Sequence, residues 1–200
     1  YCMSELLELI EQGRPLFVHC IPDLKIPHTL VVCDNPLCQV CPIPPLEPFE
    51  PDKPSHDTHD IELKQYAIDL FNYKKNQSIY EKKLSEYNKL LRADEWHLWA
   101  PHGALIIYDE VHYVYPPTSS SAKKKPSVTL FSTHRHMGLD FYMMTQSPLL
   151  FDRSVKLLVG KHVHLKSTWA GRYQFEYPEV NDTVKNTSCA VKSTYRLNKK

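Results

Sequence analysis

Glycine is scarce in this chain, five in 200 residues, and none of the five opens a phosphate-binding loop. The string G-x-x-x-x-G-K-[ST], whose backbone N–H groups cradle nucleotide phosphates, is absent. Gly160-Lys161 supplies the dipeptide, but His162 follows it and no upstream glycine has the right spacing. An excess of one charge is missing too. The formal net charge is +1, so no global field argues for nucleic acid or an anionic membrane. No apolar run approaches the roughly 20 residues that a membrane helix needs, and no charged-then-apolar leader is visible. Six cysteines in a chain of this length do not suggest a disulfide framework, so the reducing cytoplasm is the default compartment. Hydrophobic residues at 42% are ordinary for a globular domain, and the length predicts one core.

Proline, in contrast, is frequent at 16, and most prolines fall between Pro22 and Pro54. Residues 22–56 therefore read as a Pro/Cys-rich loop insertion in a single domain spanning 1–200, with a short strand at Thr29–Cys33. Met3, Leu6, Leu7 and Ile10 form one apolar helical face that Gly13 closes. No capping residue precedes Tyr1, and Asn198-Lys199-Lys200 follows a strand-like run, so truncation at both ends is expected. Arg14 to Cys20 reads as a buried strand. Asp57 to Arg92 is proline-free and predicts one long helix or two shorter ones, with Ile61, Ile68 and Phe71 on one face. Gly103 to Tyr108 and Leu139 to Thr145 read as buried strands, Ser127 to Met137 and Leu149 to Val159 as helices, and His162 to Lys166 as a further strand. Strands alternating with helices predict an α/β fold with a mainly parallel sheet flanked by helices.

The string LIIYDEVHYV carries the strongest chemical signal. Its apolar strand delivers Asp109 and Glu110 at the C-terminal edge, where ligands bind in open α/β sheets. This is the pattern of a Walker B segment. Asp109 would hold Mg²⁺, largely through water, and Glu110 would orient and polarise the attacking water. The same string also reads as a strand ending in two solvated acids. One helix later, Thr145-Gln146 ends a second apolar strand. In phosphate-loop ATPases with a catalytic glutamate, the sensor strand lies between the phosphate-loop strand and the Walker B strand. Thr145 and Gln146 would then face nucleotide, with Gln146 at the γ-phosphate. Taken alone, Gln146 reads more simply as the start of the turn Gln146-Ser147-Pro148.

Four strings together resemble the zonular occludens toxin family of filamentous phages, which includes their gene I assembly proteins. They are LKIPHTLV at Leu24 to Val31, IIYDEVHYVYP at Ile106 to Pro116, STHRHMGLDFYMMTQSP at Ser132 to Pro148, and DRSVKLLVGKHVHL at Asp152 to Leu165. The proline-rich loop and the long helix match the family least. The resemblance implies a P-loop NTPase fold whose first strand and phosphate loop lie outside this chain. It implies ATP and Mg²⁺ as ligands, with Asp109 on the metal, Glu110 as the catalytic acid and Gln146 as the sensor. Arg135, in the family's His-Arg-His motif with His134 and His136, would be an arginine finger or a subunit contact. The implied protein is a homo-oligomer at the cytoplasmic face of the bacterial inner membrane, whose full-length chain spans that membrane once. Its ATP hydrolysis would power virion extrusion alongside phage assembly and secretion proteins, with phage single-stranded DNA or coat protein as further partners. The alternative is a non-enzymatic envelope or toxin-like interaction protein that retains the P-loop scaffold.

Other clusters carry less. Cys33, Cys38 and Cys41 have C-x4-C-x2-C spacing, with Cys20 as the nearest candidate for a fourth zinc ligand. The second C-x2-C pair is lacking, so free thiols in a loop are the simpler reading. His162 and His164 share one face of a strand but read as packed or solvated, and Lys123 to Lys125 as a solvated basic loop.

Overall fold

A computed structural model of the protein describes residues 9–54, 60–119, 121–169, 171–182 and 190–194. The chain packs as two compact units, Tyr1–Cys41 with Leu91–Lys200, and Pro42–Leu90. The sequence alone reads as one domain with an insertion at 22–56.

The larger unit is built on a five-stranded sheet in which every pairing is parallel. Its strands are β1 (Leu16–His19), β2 (Thr29–Val32), β3 (Leu91–Arg92), β4 (Leu105–Tyr108) and β5 (Asp140–Met143), in the order β3-β2-β1-β4-β5. The register sets Leu16 beside Leu105 and His19 beside Tyr108; on the other side of β4, Tyr108 pairs with Met143. Side chains alternate between the two faces, as the pleat requires. One face carries Leu16, Val18, Leu105 and Ile107, packed against Leu9, Ile10, Tyr142 and Met144. The other carries aromatic rings. Phe141 lies 4.8 Å from Phe131 and 5.1 Å from Trp96, and Phe17 lies 4.6 Å from Trp99, between ring centroids. Burying both faces explains why β1 and β4 read as continuous apolar runs rather than alternating ones.

Glycine is used where the chain must turn left-handed. Gly13 (φ +75°) closes the turn at residues 9–11, and its N–H reaches Ile10 O at 2.9 Å. Gly138 (φ +64°) closes the 3₁₀ helix Phe131–Met137 that continues Pro126–Leu130. Met3, Leu6 and Leu7 lie outside the described residues. The Leu149–Val159 helix is shorter than its apolar pattern predicts, a 3₁₀ turn at Pro148–Leu150 followed by a helix at Arg153–Lys156. The reason is local. The Asp152 side chain accepts from the Ser154 and Val155 N–H groups and starts the helix afresh there.

The strand at 162–166 departs from the parallel pattern. It extends as β6 (His162–Thr168) and pairs antiparallel with β7 (Gly171–Tyr177), which pairs antiparallel with β8 (Val191–Thr194) in a separate sheet. Only two residues separate Thr168 from Gly171, enough for a hairpin and far too few for a parallel crossover.

Within the smaller unit, Asp60–Tyr87 is a single helix of 28 residues. Its expected apolar face is solvent-exposed, with Ile61 79%, Ile68 54% and Phe71 69% accessible. The helix rests on propensity, on Asp60 and Glu62 at its positive end, and on i,i+4 pairs such as Gln65 to Asp69 at 3.0 Å.

Candidate active site at the ends of the central strands

The C-terminal ends of β1, β4 and β5 are tied together by backbone before any side chain acts. Asp109 N–H donates to His19 O at 3.1 Å, Met144 N–H to Tyr108 O at 2.8 Å, and Val111 N–H to Met144 O at 3.0 Å. His19 Nδ1 also lies 3.0 Å from Asp109 O. The chain then reverses sharply, and Glu110 takes a left-handed conformation (φ 51°, ψ 54°) that L-residues other than glycine adopt only at a cost of roughly 1–2 kcal/mol. Strain of this kind concentrates at functional sites. It turns the Glu110 N–H back onto Asp109 Oδ1 at 3.0 Å.

Glu110 and Gln146 meet. Gln146 Nε2 donates to Glu110 Oε1 at 3.1 Å, across the gap between the ends of β4 and β5. His112 Nδ1 stands 3.2 Å from the other oxygen, Oε2. The carboxylate is therefore held by Gln146 on one oxygen, with His112 close to the other but not hydrogen-bonded to it. Thr145 is turned inward on its own loop, donating to Ser147 O at 3.2 Å and accepting from Ser147 N–H at 3.4 Å, so it shapes the turn that presents Gln146.

Asp109 is half-buried. Burial first, and the neighbouring Glu110 charge after it, push its carboxyl above the ordinary value of 3.8, against the lowering effect of the Glu110 N–H hydrogen bond. Among the described residues, Oδ1 is the oxygen with a partner; Oδ2 takes no hydrogen bond. One such oxygen suits magnesium, which binds through one or two carboxylates and keeps several waters. The donor set fits the ion.

Arg135 is not brought to these groups. The 3₁₀ helix Phe131–Met137 precedes β5, so the exposed Arg135 lies at the N-terminal ends of the strands. Four residues of strand put about 13 Å between the two ends. His134 is structural: its Nδ1 contacts Phe131 O, and its ring packs edge-on against Phe141. Lys125 ties down its loop, donating to Asp94 at 2.7 Å and Val114 O at 3.1 Å. His162 stacks on Tyr177 and accepts from Asn181 N–H.

The family profile described as zonular occludens toxin matches residues 61–199, more than two-thirds of the chain. The chain belongs to the zonular occludens toxin family. The match takes in the long helix, which by its residues alone looks foreign to the family. The crystal structure of the N-terminal domain of zonular occludens toxin from Neisseria meningitidis is similar over 93% of this chain and 77% of that one, with 27% sequence identity and a TM-score of 0.62. A candidate assembly protein, ORF301 of Pseudomonas phage Pf3, is 37% identical over 78 residues, or 36% of this chain and 25% of that protein. The chain thus spans about a quarter of that phage relative. The family's mainly parallel α/β sheet is the one observed here.

Two residues in this family member escape sequence reasoning. His112 lies only two positions after Glu110 within the resemblance string, yet nothing in the sequence marks it as a carboxylate partner. His19 looks like a polar residue at the end of a core strand. A cue was available, since a histidine at the end of a buried strand beside a Walker B strand needs a partner for each ring nitrogen.

Proposed function

We propose that this chain is the nucleotide-handling domain of a phage assembly ATPase at the bacterial inner membrane, with ATP as substrate and virion extrusion as the work done. The hydrogen bond between Gln146 and Glu110 carries the reading, because it joins a sensor-type amide to a catalytic-type carboxylate at adjacent strand ends. Solvated acids at a strand terminus need no such partner.

The strand order supports it. β5 ends the five-stranded sheet, next to the Walker B strand β4. In phosphate-loop ATPases the sensor strand has the phosphate-loop strand on its other side, so the outer edge of β5, unpaired among the described residues, is where such a strand would pair. Asp109 would hold the magnesium ion. The chemistry that ion supplies when bound is charge neutralisation on the β- and γ-phosphate oxygens. Glu110 accepts a hydrogen bond from, and polarises, the attacking water, with Gln146 fixing the carboxylate's direction. Arg135, exposed at the far end of the strands, serves a neighbouring copy in a homo-oligomer rather than its own acids.

The test has two arms. The grip on phosphates comes mostly from the phosphate loop and its lysine. The 200-residue chain alone should therefore bind Mg·ATP weakly and hydrolyse none; micromolar binding in isothermal titration contradicts the assignment. In the full-length protein, Glu110→Gln should keep ATP affinity and lose roughly 10²-fold or more in turnover. Unchanged turnover in that variant would remove Glu110 from the catalytic role; no turnover in the unmutated full-length protein would leave the scaffold reading, without catalysis, in its place.

A further inference from the structure

The proline-rich loop has little apolar interior of its own. Leu37 is 73% and Val40 44% solvent-accessible, while Cys33, Cys38 and Cys41 are buried at 3–8%. The loop turns its thiols inward, where free cysteines are commonly found, and leaves Leu37 and Val40 facing outward. Facing the thiols is the fully buried His19 at the end of β1. One ligand atom from each of His19, Cys33, Cys38 and Cys41 lies within 4.8 Å of the others.

We propose that these four residues form a structural zinc site. Two of the six ligand-to-ligand spacings match a filled tetrahedron, and all are under 4.8 Å. Zn–S bonds of about 2.3 Å and a Zn–N bond of about 2.0 Å give S–S edges of about 3.8 Å and N–S edges of about 3.5 Å. Cys33 and Cys41 sulfurs are 3.7 Å apart, and Cys41 Sγ is 3.5 Å from His19 Nε2. The histidine is already oriented for the task. Its Nδ1 is hydrogen-bonded to Asp109 O at 3.0 Å, which fixes the proton there and leaves the Nε2 lone pair facing the sulfurs. Metal-binding histidines are held in this way by a backbone carbonyl or carboxylate. On binding, the three thiols lose their protons to solvent and the imidazole stays neutral, so the site carries one net negative charge. Cys20 stands close beside the set, its Sγ 3.3 Å from His19 Nε2, 2.9 Å from Cys38 Sγ and 4.0 Å from Cys41 Sγ, but it is not one of the four residues whose ligand atoms all lie within 4.8 Å of one another.

The consequence is a cross-link. Zinc would join the loop at 33–41 to the end of β1, one hydrogen bond from the backbone of the magnesium-binding Asp109. This assignment is independent of whether the protein hydrolyses ATP.

Elemental analysis of the 200-residue chain, expressed with zinc in the medium and purified without chelator, should give about one zinc per chain. X-ray absorption at the zinc edge should show three sulfurs and one nitrogen. Cys38→Ser should lose the metal and Cys20→Ser keep it. Zinc below about 0.2 per chain, a four-sulfur shell, or zinc lost from Cys20→Ser overturns the assignment. So does a Cys20–Cys38 disulfide found in metal-free protein. The absorption spectrum reads the unmutated chain, so it decides the ligand set even where a variant fails to fold.

Discussion

Arg14 provides the sharpest structural test, because one side chain binds the N-terminal ends of the central strands together. Its Nε donates to Gly103 O at 2.7 Å, one terminal nitrogen to Gly138 O at 3.0 Å and more weakly to Ala104 O at 3.3 Å, and the other pairs with Asp140 at 2.5 Å. Arg14→Met keeps most of the aliphatic stem and removes every one of these bonds. The Asp140 pair is discounted, since that carboxylate is 57% exposed and surface pairs contribute about 0–1 kcal/mol. Charged hydrogen bonds to carbonyls contribute about 1.5–3 kcal/mol each when buried, and these are only partly so. A total loss of about 2–3 kcal/mol follows, or roughly 5–10 °C in Tm for a protein of this size. Urea unfolding of Arg14→Met and, separately, Asp140→Asn measures both parts. Asp140→Asn should cost less than about 1 kcal/mol. Equal costs for the two would show that the ion pair, not the carbonyl knot, holds the strand ends.

Two further outcomes follow from buried polar groups. Tyr108 donates its hydroxyl to Ala93 O at 2.7 Å inside the core, so Tyr108→Phe should lose about 1–2 kcal/mol in chemical unfolding, with the Ala93 carbonyl left unpaired. Burial alone would raise the Asp152 carboxyl, but hydrogen bonds from Thr118 and from the Ser154 and Val155 N–H groups override it and hold it below 3.8. A depressed carboxyl stabilises the fold above its unfolded value and stops doing so as pH falls through the folded one. Asp152→Ala should therefore cost about 1–2 kcal/mol at neutral pH, and thermal melts should show the gap to the unmutated chain narrowing below about pH 4.

The parts of the fold set by local rules were legible in the sequence. LIIY has the length and the unbroken apolar character of a strand buried on both faces. Gly13 and Gly138 mark turns that need positive φ. The acids after LIIY and the Thr-Gln after FYMM fall at strand ends because apolar runs stop there. What depends on tertiary pairing was not legible. Nothing in HVHLK distinguishes a further strand of the parallel sheet from a hairpin arm; the two-residue gap before Gly171 does. Arg135 sits close to the Thr-Gln pair in sequence and at the other end of the strands in space, because β5 intervenes. The cysteine motif looked incomplete because the count was of cysteines. Its fourth ligand is a histidine on a strand, 14 residues before Cys33, and only the parallel sheet brings the two together.

The position of Asp109 is fixed by backbone bonds to His19 and by the turn at Glu110, so its carboxylate is free to be costly. Burial raises it from 3.8, with the Glu110 charge adding to the effect. A carboxyl raised on folding takes up protons more readily in the native state. Stability then falls as pH rises from the unfolded value through the folded one, and the penalty stays in full at neutral pH. Asp109→Asn removes that charge, and its side-chain oxygen can still accept from the Glu110 N–H. The variant should therefore melt at a higher temperature than the unmutated chain at pH 7. The gain should shrink as pH is lowered towards 3.8 and vanish below it. In the full-length protein the same substitution should weaken Mg²⁺-dependent nucleotide binding, an exchange of function for stability common at active sites. A lower Tm for Asp109→Asn at pH 7, or a gain that ignores pH, would show that the carboxylate is part of the fold's scaffolding and not a group held there for a cation.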